Sequence, residues 1–371
     1  MYKSVVFLMP CIGRTPVGGF KVVYEYANRL VNDGFDVKIV YPATYDFSAY
    51  NATGFSDFSF KNKVRIILRY LYYRANGRYT CRSWFQLDSR VLECWRWDLS
   101  EKLVPASDFY IATAVQTAEA LNRYQKVQDS SKFYFIQGYE NWHVDESRLL
   151  ASYKYPMKKI SIANWLDEVI REKGGSSSVV INNGFDFDFF QCRRSISARD
   201  RFHIALMYSS NPMKGFMDAM RALLIVKERF PRLSVALFGT SPCPKGLPAW
   251  IDYTQMPDRD QFNDIYNNAA IFIAPSHSEG WGLTVGEAMI CGCAIVCTDT
   301  KGYLEMVVDG INALVSPVGD MDKMTANIIR LIEQDALRIE IAETGRETIK
   351  KFTWDRAYQK FKKQLMFEQL L

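Results

Sequence analysis

Residues 270–297 read AIFIAPSHSEGWGLTVGEAMICGCAIVC. Ala270–Ala274 is a short apolar run closed by Pro275, which predicts a buried strand. Thr284–Cys291 reads as a helix, and Ala294–Cys297 as a second buried strand. Between the first strand and the helix lies Glu279-Gly280-Trp281-Gly282-Leu283. Strand, glycine-rich loop, helix and strand in this order make a βαβ unit of a parallel sheet. Glycines there let the backbone approach a ligand closely and expose its N–H groups. The helix start adds roughly half a positive charge. The stretch therefore predicts an α/β chain with an anion site at one helix start.

The alternation continues in both directions. Upstream come strand Phe202–Tyr208, helix Phe216–Phe230, strand Leu233–Phe238 and helix Asp258–Asn267. Downstream, Met321–Leu371 reads as helices with few breaks. The first half repeats the theme, with strands Ser4–Met9, Val37–Val40, Phe109–Ala112, Phe133–Ile136, Ile160–Ala163 and Val179–Ile181. Its clearest helices are Phe20–Val31 and Trp165–Lys173, the second with Asn164 as N-cap. Gln191–Arg201, QCRRSISARDR, is polar and aperiodic and is the candidate linker. With 371 residues, 48% of them hydrophobic, the chain has room for two domains, each with its own core. Two successive doubly wound halves predict a ligand cleft between them, beyond the carboxyl ends of the strands.

Composition excludes several classes. Lys plus Arg is 46 against 41 Asp plus Glu, a formal net charge of +5. That suits an acidic ligand or an anionic membrane surface and is no nucleic-acid footprint. The opening MYKSVVFLMPCIG reads as a first buried strand and not as a signal peptide. No apolar run reaches the roughly 18 residues of a membrane span. The eight cysteines are scattered and read as reduced core thiols. Cys291-x-Cys293 has no second pair at ligand spacing, so no metal site is expected there. Ser276 and His277 lack the acid partner and the nucleophile elbow of a serine hydrolase.

Two further loops stand between a strand and a helix. Thr15-Pro16-Val17-Gly18-Gly19 precedes the helix from near Phe20. Ser209-Ser210-Asn211-Pro212-Met213-Lys214-Gly215 precedes the helix from Phe216 and sets a lysine at its start. Each alone has a bland reading, a tight turn or a solvated lysine. Three such helix starts together fit a diphosphate better than a neutral ligand.

Ser276–Ala288, with Glu279 and Glu287 separated by seven residues in EGWGLTVGE, resembles the retaining glycosyltransferases of family four, which have the GT-B fold. Further matches follow in order: Gly18-Gly19, then Asn182-Asn183-Gly184-Phe185-Asp186, then Lys214-Gly215, then Glu305-x-Val307-x-Asp309-Gly310-x-Asn312. The resemblance implies an α/β GT-B chain of two Rossmann-like doubly wound domains facing a central cleft. Residues 1–190 would be the acceptor-side domain, 191–200 the linker and 201–350 the nucleotide-sugar domain. Residues 351–371 would be a helix packing back on the first domain.

The resemblance also implies roles. Glu279 and Lys214 would be catalytic, Glu279 facing the donor sugar and Lys214 neutralising the leaving diphosphate. Glu287 would hold the ribose hydroxyls. The N–H groups of Gly282, Leu283 and Thr284 would bind the distal phosphate, with Gly280, Trp281, Ser209 and Asn211 also in the donor site. Gly18 and Gly19 would approach the same phosphates from the other domain. Gln116 and Asn141 are assigned to the acceptor and sugar pocket. No Asp-x-Asp occurs where a metal–diphosphate site would need it, so no metal and no cofactor are expected. The implied partners are a nucleotide sugar and a glycan or lipid-linked glycan acceptor, with no nucleic acid. The implied reaction is retaining, metal-independent glycosyl transfer in bacterial-type surface polysaccharide synthesis, in the cytoplasm or at the inner face of the cell membrane. The alternatives are a nucleotide-sugar 2-epimerase and a non-catalytic carbohydrate-binding or scaffold relative.

Two positions depart from the family pattern. Ser209 stands where many members have arginine. The stretch ATAVQTA, residues 112–118, has Gln116 where many have a nearby histidine. One further stretch, Lys61–Tyr79, carries six basic residues, and no Asp or Glu occurs between Asp57 and Asp88. Ile66, Ile67, Tyr70, Leu71 and Arg74 would form a helix with aromatic and basic faces, suited to an anionic membrane surface or to an ordinary solvated face.

Overall fold

The computed structural model describes residues 3–13, 15–43, 59–76, 80–141 and 144–366, with Tyr73 and Arg74 in backbone only. Tyr79 and the rest of 77–79 lie outside the described residues. The chain groups into two units. Unit 1 is Met1–Asn182 with Tyr358–Leu371, and unit 2 is Asn183–Ala357. The polar stretch Gln191–Arg201 lies inside unit 2.

Unit 1 runs β1 (Ser4–Leu8), α1 (Gly18–Asn32), β2 (Asp36–Pro42), α2 (Phe60–Ala75), β3 (Leu92–Arg96) and β4 (Phe109–Ala112). It continues with α3 (Val115–Asn122), β5 (Lys132–Ile136), α4 (Glu146–Ser152), β6 (Lys158–Ser161), α5 (Asn164–Glu172) and β7 (Val179–Val180). Its strands form one parallel sheet in the order β3-β2-β1-β4-β5-β6-β7. The central strands are buried on both faces, which is why they read as continuous apolar runs.

Unit 2 runs β8 (His203–Tyr208), α6 (Phe216–Arg229), β9 (Ser234–Gly239), β10 (Ile251–Gln255), α7 (Arg259–Asn268) and β11 (Ile271–Ala274). Then come α8 (Leu283–Cys291), β12 (Ala294–Thr298), α9 (Lys301–Leu304), β13 (Leu314–Ser316), α10 (Met321–Glu333) and α11 (Asp335–Ile349). The sheet order is β10-β9-β8-β11-β12-β13, again parallel. The expected α/β class with two Rossmann-like halves is what the chain adopts. In each half the order reverses beside the first strand, between β1 and β4 and between β8 and β11. Loops leaving those strands flank the crevice where doubly wound sheets take ligands.

The last helix, α12 (Trp354–Met366), carries residues of both units. Within unit 1, Phe361 stacks on Tyr26 with ring centroids 4.2 Å apart. The Tyr358 hydroxyl donates to Asp33 Oδ2 at 2.5 Å, and Lys362 pairs with the same oxygen at 2.7 Å.

Two local expectations need correction. Gly18 and Gly19 are not a loop ahead of the first helix, because α1 already begins at Gly18. A first helical turn has N–H groups with no intrahelical partner, so glycine there sacrifices little. Asn164 is the first residue of α5, and Ala163 takes the N-cap in an extended conformation. Three short strands, β3, β10 and β13, were not anticipated.

Candidate functional site

The expected donor residues of unit 2 gather on two loops. One leaves β8 and the other leaves β11, the two strands at the reversal of sheet order. In the first, Asn211 Oδ1 accepts from the Met213 N–H at 3.0 Å and caps a single 3-10 turn, Pro212–Lys214. Lys214 therefore ends that turn, and α6 starts separately at Phe216. Gly215 joins them at φ 67°, and a Cβ there would sit 1.9 Å from the Pro275 carbonyl oxygen. Only glycine allows the lysine loop to lie so close to the second loop.

The second loop is organised on one carboxylate oxygen. Glu279 Oε1 accepts from Lys214 Nζ at 2.7 Å, from Ser276 Oγ at 2.8 Å and from the Tyr303 hydroxyl at 3.4 Å. Burial pushes the Tyr303 phenol well above its ordinary range, so it remains a donor. His277 is held away from this cluster by Asp218, with Nε2 to Oδ2 at 2.6 Å. Its own N–H donates to Met213 O at 2.8 Å and further ties the two loops together.

Gly282 caps α8 at φ 105°, and a Cβ there would meet the Tyr303 ring at 2.5 Å. The first intrahelical bonds come from Val285 and Gly286 to Gly282 O. The N–H groups of Leu283 and Thr284 precede them, as at any helix start. Trp281 is buried edge-on against Phe352, 5.0 Å between centroids, and its indole N–H has no partner among the described residues. Glu287, one turn into α8, is buried, and the Tyr266 hydroxyl reaches its Oε2 at 3.5 Å. Ser209 Oγ accepts from the Asn211 N–H at 3.2 Å and so shapes its own loop.

Several matched motifs turn out to be supports. Phe185 packs on Gly286, where a Cβ would fall 2.1 Å from the ring. Its N–H bonds Phe352 O at 3.0 Å. Asn312 is buried, its amide donating to Met306 O at 3.1 Å and its oxygen accepting from Val308 N at 2.7 Å. Sequence reasoning missed Ser276 and Tyr303 as partners of Glu279. Ser276 sits in the quoted motif, but Tyr303 is reached only through the fold, 24 residues away.

In unit 1, Gly18 and Gly19 open α1 after β1, and Gln137 Nε2 donates to Gly19 O at 3.1 Å. Gln116 is buried in the first turn of α3, after β4. Asn141 is exposed in the turn after β5. Its neighbour Glu140 accepts from Val115 N–H at 3.0 Å at the start of α3, and burial pushes that carboxyl up to about 7. No bond joins Gln116 to Asn141 among the described residues.

Residues 193–348 match the family described as Glycosyl transferases group 1. The chain is 30% identical over 204 residues to the capsular polysaccharide biosynthesis glycosyltransferase CapM of Staphylococcus aureus, covering 51% of this chain and 52% of that one. It is 35% identical over 107 residues to the O-antigen chain mannosyltransferase B of Escherichia coli, covering 29% and 27%. It thus spans about half or less of the curated relatives it matches. The crystal structure of Anabaena HepE in complex with UDP and glucose superposes with a TM-score of 0.72 at 15% identity, over 98% of this chain and 99% of that one. Residues 193–348 therefore match the Glycosyl transferases group 1 family, on a chain whose two parallel-sheet units have the GT-B fold.

Proposed function

We propose that this protein is a retaining, metal-independent glycosyltransferase that moves a sugar from a nucleotide-diphosphate donor to a glycan or lipid-linked glycan in surface polysaccharide synthesis. The observation that carries the reading is the Lys214–Glu279 pair, 2.7 Å long, beside the start of α8. Cleaving a bond from sugar to diphosphate leaves negative charge on the departing oxygen. An ammonium and a helix start already in place offset that charge without a metal, by roughly 3 kcal/mol per key group. Glu279 keeps Lys214 oriented until the donor's phosphates compete for it, and then faces the sugar. Glu287, buried one turn into α8 with the Tyr266 hydroxyl at its Oε2, suits the ribose hydroxyls. Ser209 supplies no charge where an arginine would, so Lys214 and the N–H groups of Leu283 and Thr284 carry the diphosphate. Retention follows if the acceptor attacks on the face the diphosphate leaves, with a phosphate oxygen taking its proton.

The test is a thermal-shift screen against nucleoside diphosphates, followed by donor turnover. A matching diphosphate at 100-fold its dissociation constant adds about 2.7 kcal/mol of stability. Lys214→Ala and Glu279→Ala should each lower turnover by two or more orders of magnitude, while Glu287→Ala should chiefly raise KM. The product anomer, read by NMR, should match the donor's. No stabilisation by any nucleoside diphosphate would remove the transferase reading, and wild-type turnover in all three variants would remove the site.

A further inference from the structure

Helix α2 has a solvent face that neither the donor site nor unit 1's core accounts for. Ser59 caps it, its hydroxyl accepting from Asn62 N–H at 3.4 Å. One side is anchored, with Ile66 buried and Tyr70 stacked on Trp95 of β3 at 3.8 Å between centroids. The opposite side is apolar and open. Phe60 is 83% exposed, Leu68 62%, Leu71 54% and Tyr72 53%. At 3.6 residues per turn, Phe60, Val64, Leu68 and Leu71 fall within one strip about 80° wide. Lys61, Arg65 and Arg69, spaced i, i+4, i+8, form the strip beside it. An open groove of about 560 Å³ runs along this border, lined by Lys61, Val64, Arg65, Leu68, Arg69 and Tyr72. No acidic residue occurs in the sequence from 58 to 87. Of the residues expected from the sequence to make the aromatic and basic faces, Ile66 and Tyr70 pack inward instead, and the Arg74 side chain lies outside the described residues.

Exposed leucines on an ordinary surface helix are a liability, and large apolar patches mark contact surfaces. The charge beside them decides the partner. A one-sign basic strip flanking an apolar strip fits the boundary between phosphate headgroups and acyl chains. A protein partner would have to supply carboxylates in register with three cations, whereas a lipid surface supplies fluid anions. We propose that α2 docks this protein on an anionic lipid bilayer, its apolar strip entering the headgroup boundary and its basic strip meeting the lipid phosphates. The helix lies flat. Among the described residues no helix is long and apolar enough to cross a membrane. The proposal deepens the lipid-linked acceptor reading, but the docking is measured without donor or acceptor.

The experiment is co-sedimentation with vesicles of phosphatidylcholine containing phosphatidylglycerol, and with phosphatidylcholine alone. Wild type should bind the anionic vesicles at low salt, weaken as salt rises, and leave the neutral ones largely free. The variant Lys61→Gln/Arg65→Gln/Arg69→Gln should lose roughly 100-fold in vesicle affinity. Leu68→Ser/Leu71→Ser should lose roughly 10-fold while keeping the salt dependence. Both variants should keep the wild-type thermal shift with nucleoside diphosphate, which shows them folded and separates this test from that of the transferase reading. Absent binding by wild type, or variants that bind as wild type does, would overturn the proposal. So would a wild-type dimer in sedimentation that Leu68→Ser/Leu71→Ser dissolves, since the face would then cover a second copy.

Discussion

Gly286 fixes where α8 can sit, because the Phe185 ring occupies the space of its missing Cβ. Gly286→Ala should cost about 1–3 kcal/mol by overpacking. In a Phe185→Leu background the same methyl should cost less, and a double-mutant cycle without coupling would place the clash elsewhere. Glu140 makes a different kind of prediction. Burial raises its carboxyl from 4.5 to about 7, so the folded chain binds more protons than the unfolded chain between those values. Its contribution to stability is complete below about pH 4.5 and is lost as pH rises through 7. Glu140→Gln keeps an acceptor for Val115 N–H and cannot ionise. Its melting temperature should therefore fall less than that of wild type between pH 5 and 8, and parallel profiles would show that Glu140 ionises freely.

At the scale of elements, Arg199 joins two helix ends. Its guanidinium donates to Tyr266 O at 3.2 Å and Ala269 O at 3.0 Å at the end of α7, and to Cys291 O at the end of α8. It is buried, and among the described residues its partners are carbonyls and thiols with no carboxylate. Removing it takes the guanidinium donor from Cys291 O and leaves Tyr266 O and Ala269 O with only the weak Cys293 thiol. Arg199→Met should cost about 2–4 kcal/mol, read as a lower urea midpoint at unchanged slope. The sequence could not reveal this, because a charged residue in a polar stretch reads as linker and carbonyl partners leave no side-chain pattern. The buried strands are the opposite case. β4, FYIA, and β11, IFIA, are apolar on both faces and legible at once. β3, LECWR, and β10, IDYTQ, lie at sheet edges, half exposed, with neither a continuous run nor a clean alternation. The donor site was half legible. Lys214 and Glu279 each stood out in their loops, but their bond spans 65 residues and depends on β8 and β11 being neighbours.

For the whole molecule, the segment from Tyr358 onward is part of unit 1's core. Phe361 is fully buried and touches Phe7 of β1, Tyr26 of α1 and Phe135 of β5. Phe361→Ala should cost about 3–5 kcal/mol. Amide exchange should accelerate in β1 and α1 and stay slow in β8 and β11. Equal acceleration in both groups would mean that the two units open as one.

The chain passes from unit 1 to unit 2 and back again, so unit 2 is a continuous segment and unit 1 is not. Translation is vectorial, and domains tend to fold as they emerge. The ribosome finishes every residue of unit 2 before it makes Phe361. The half that is started first is therefore the half that closes last, and until then the aromatic faces of β1 and α1 await their cover.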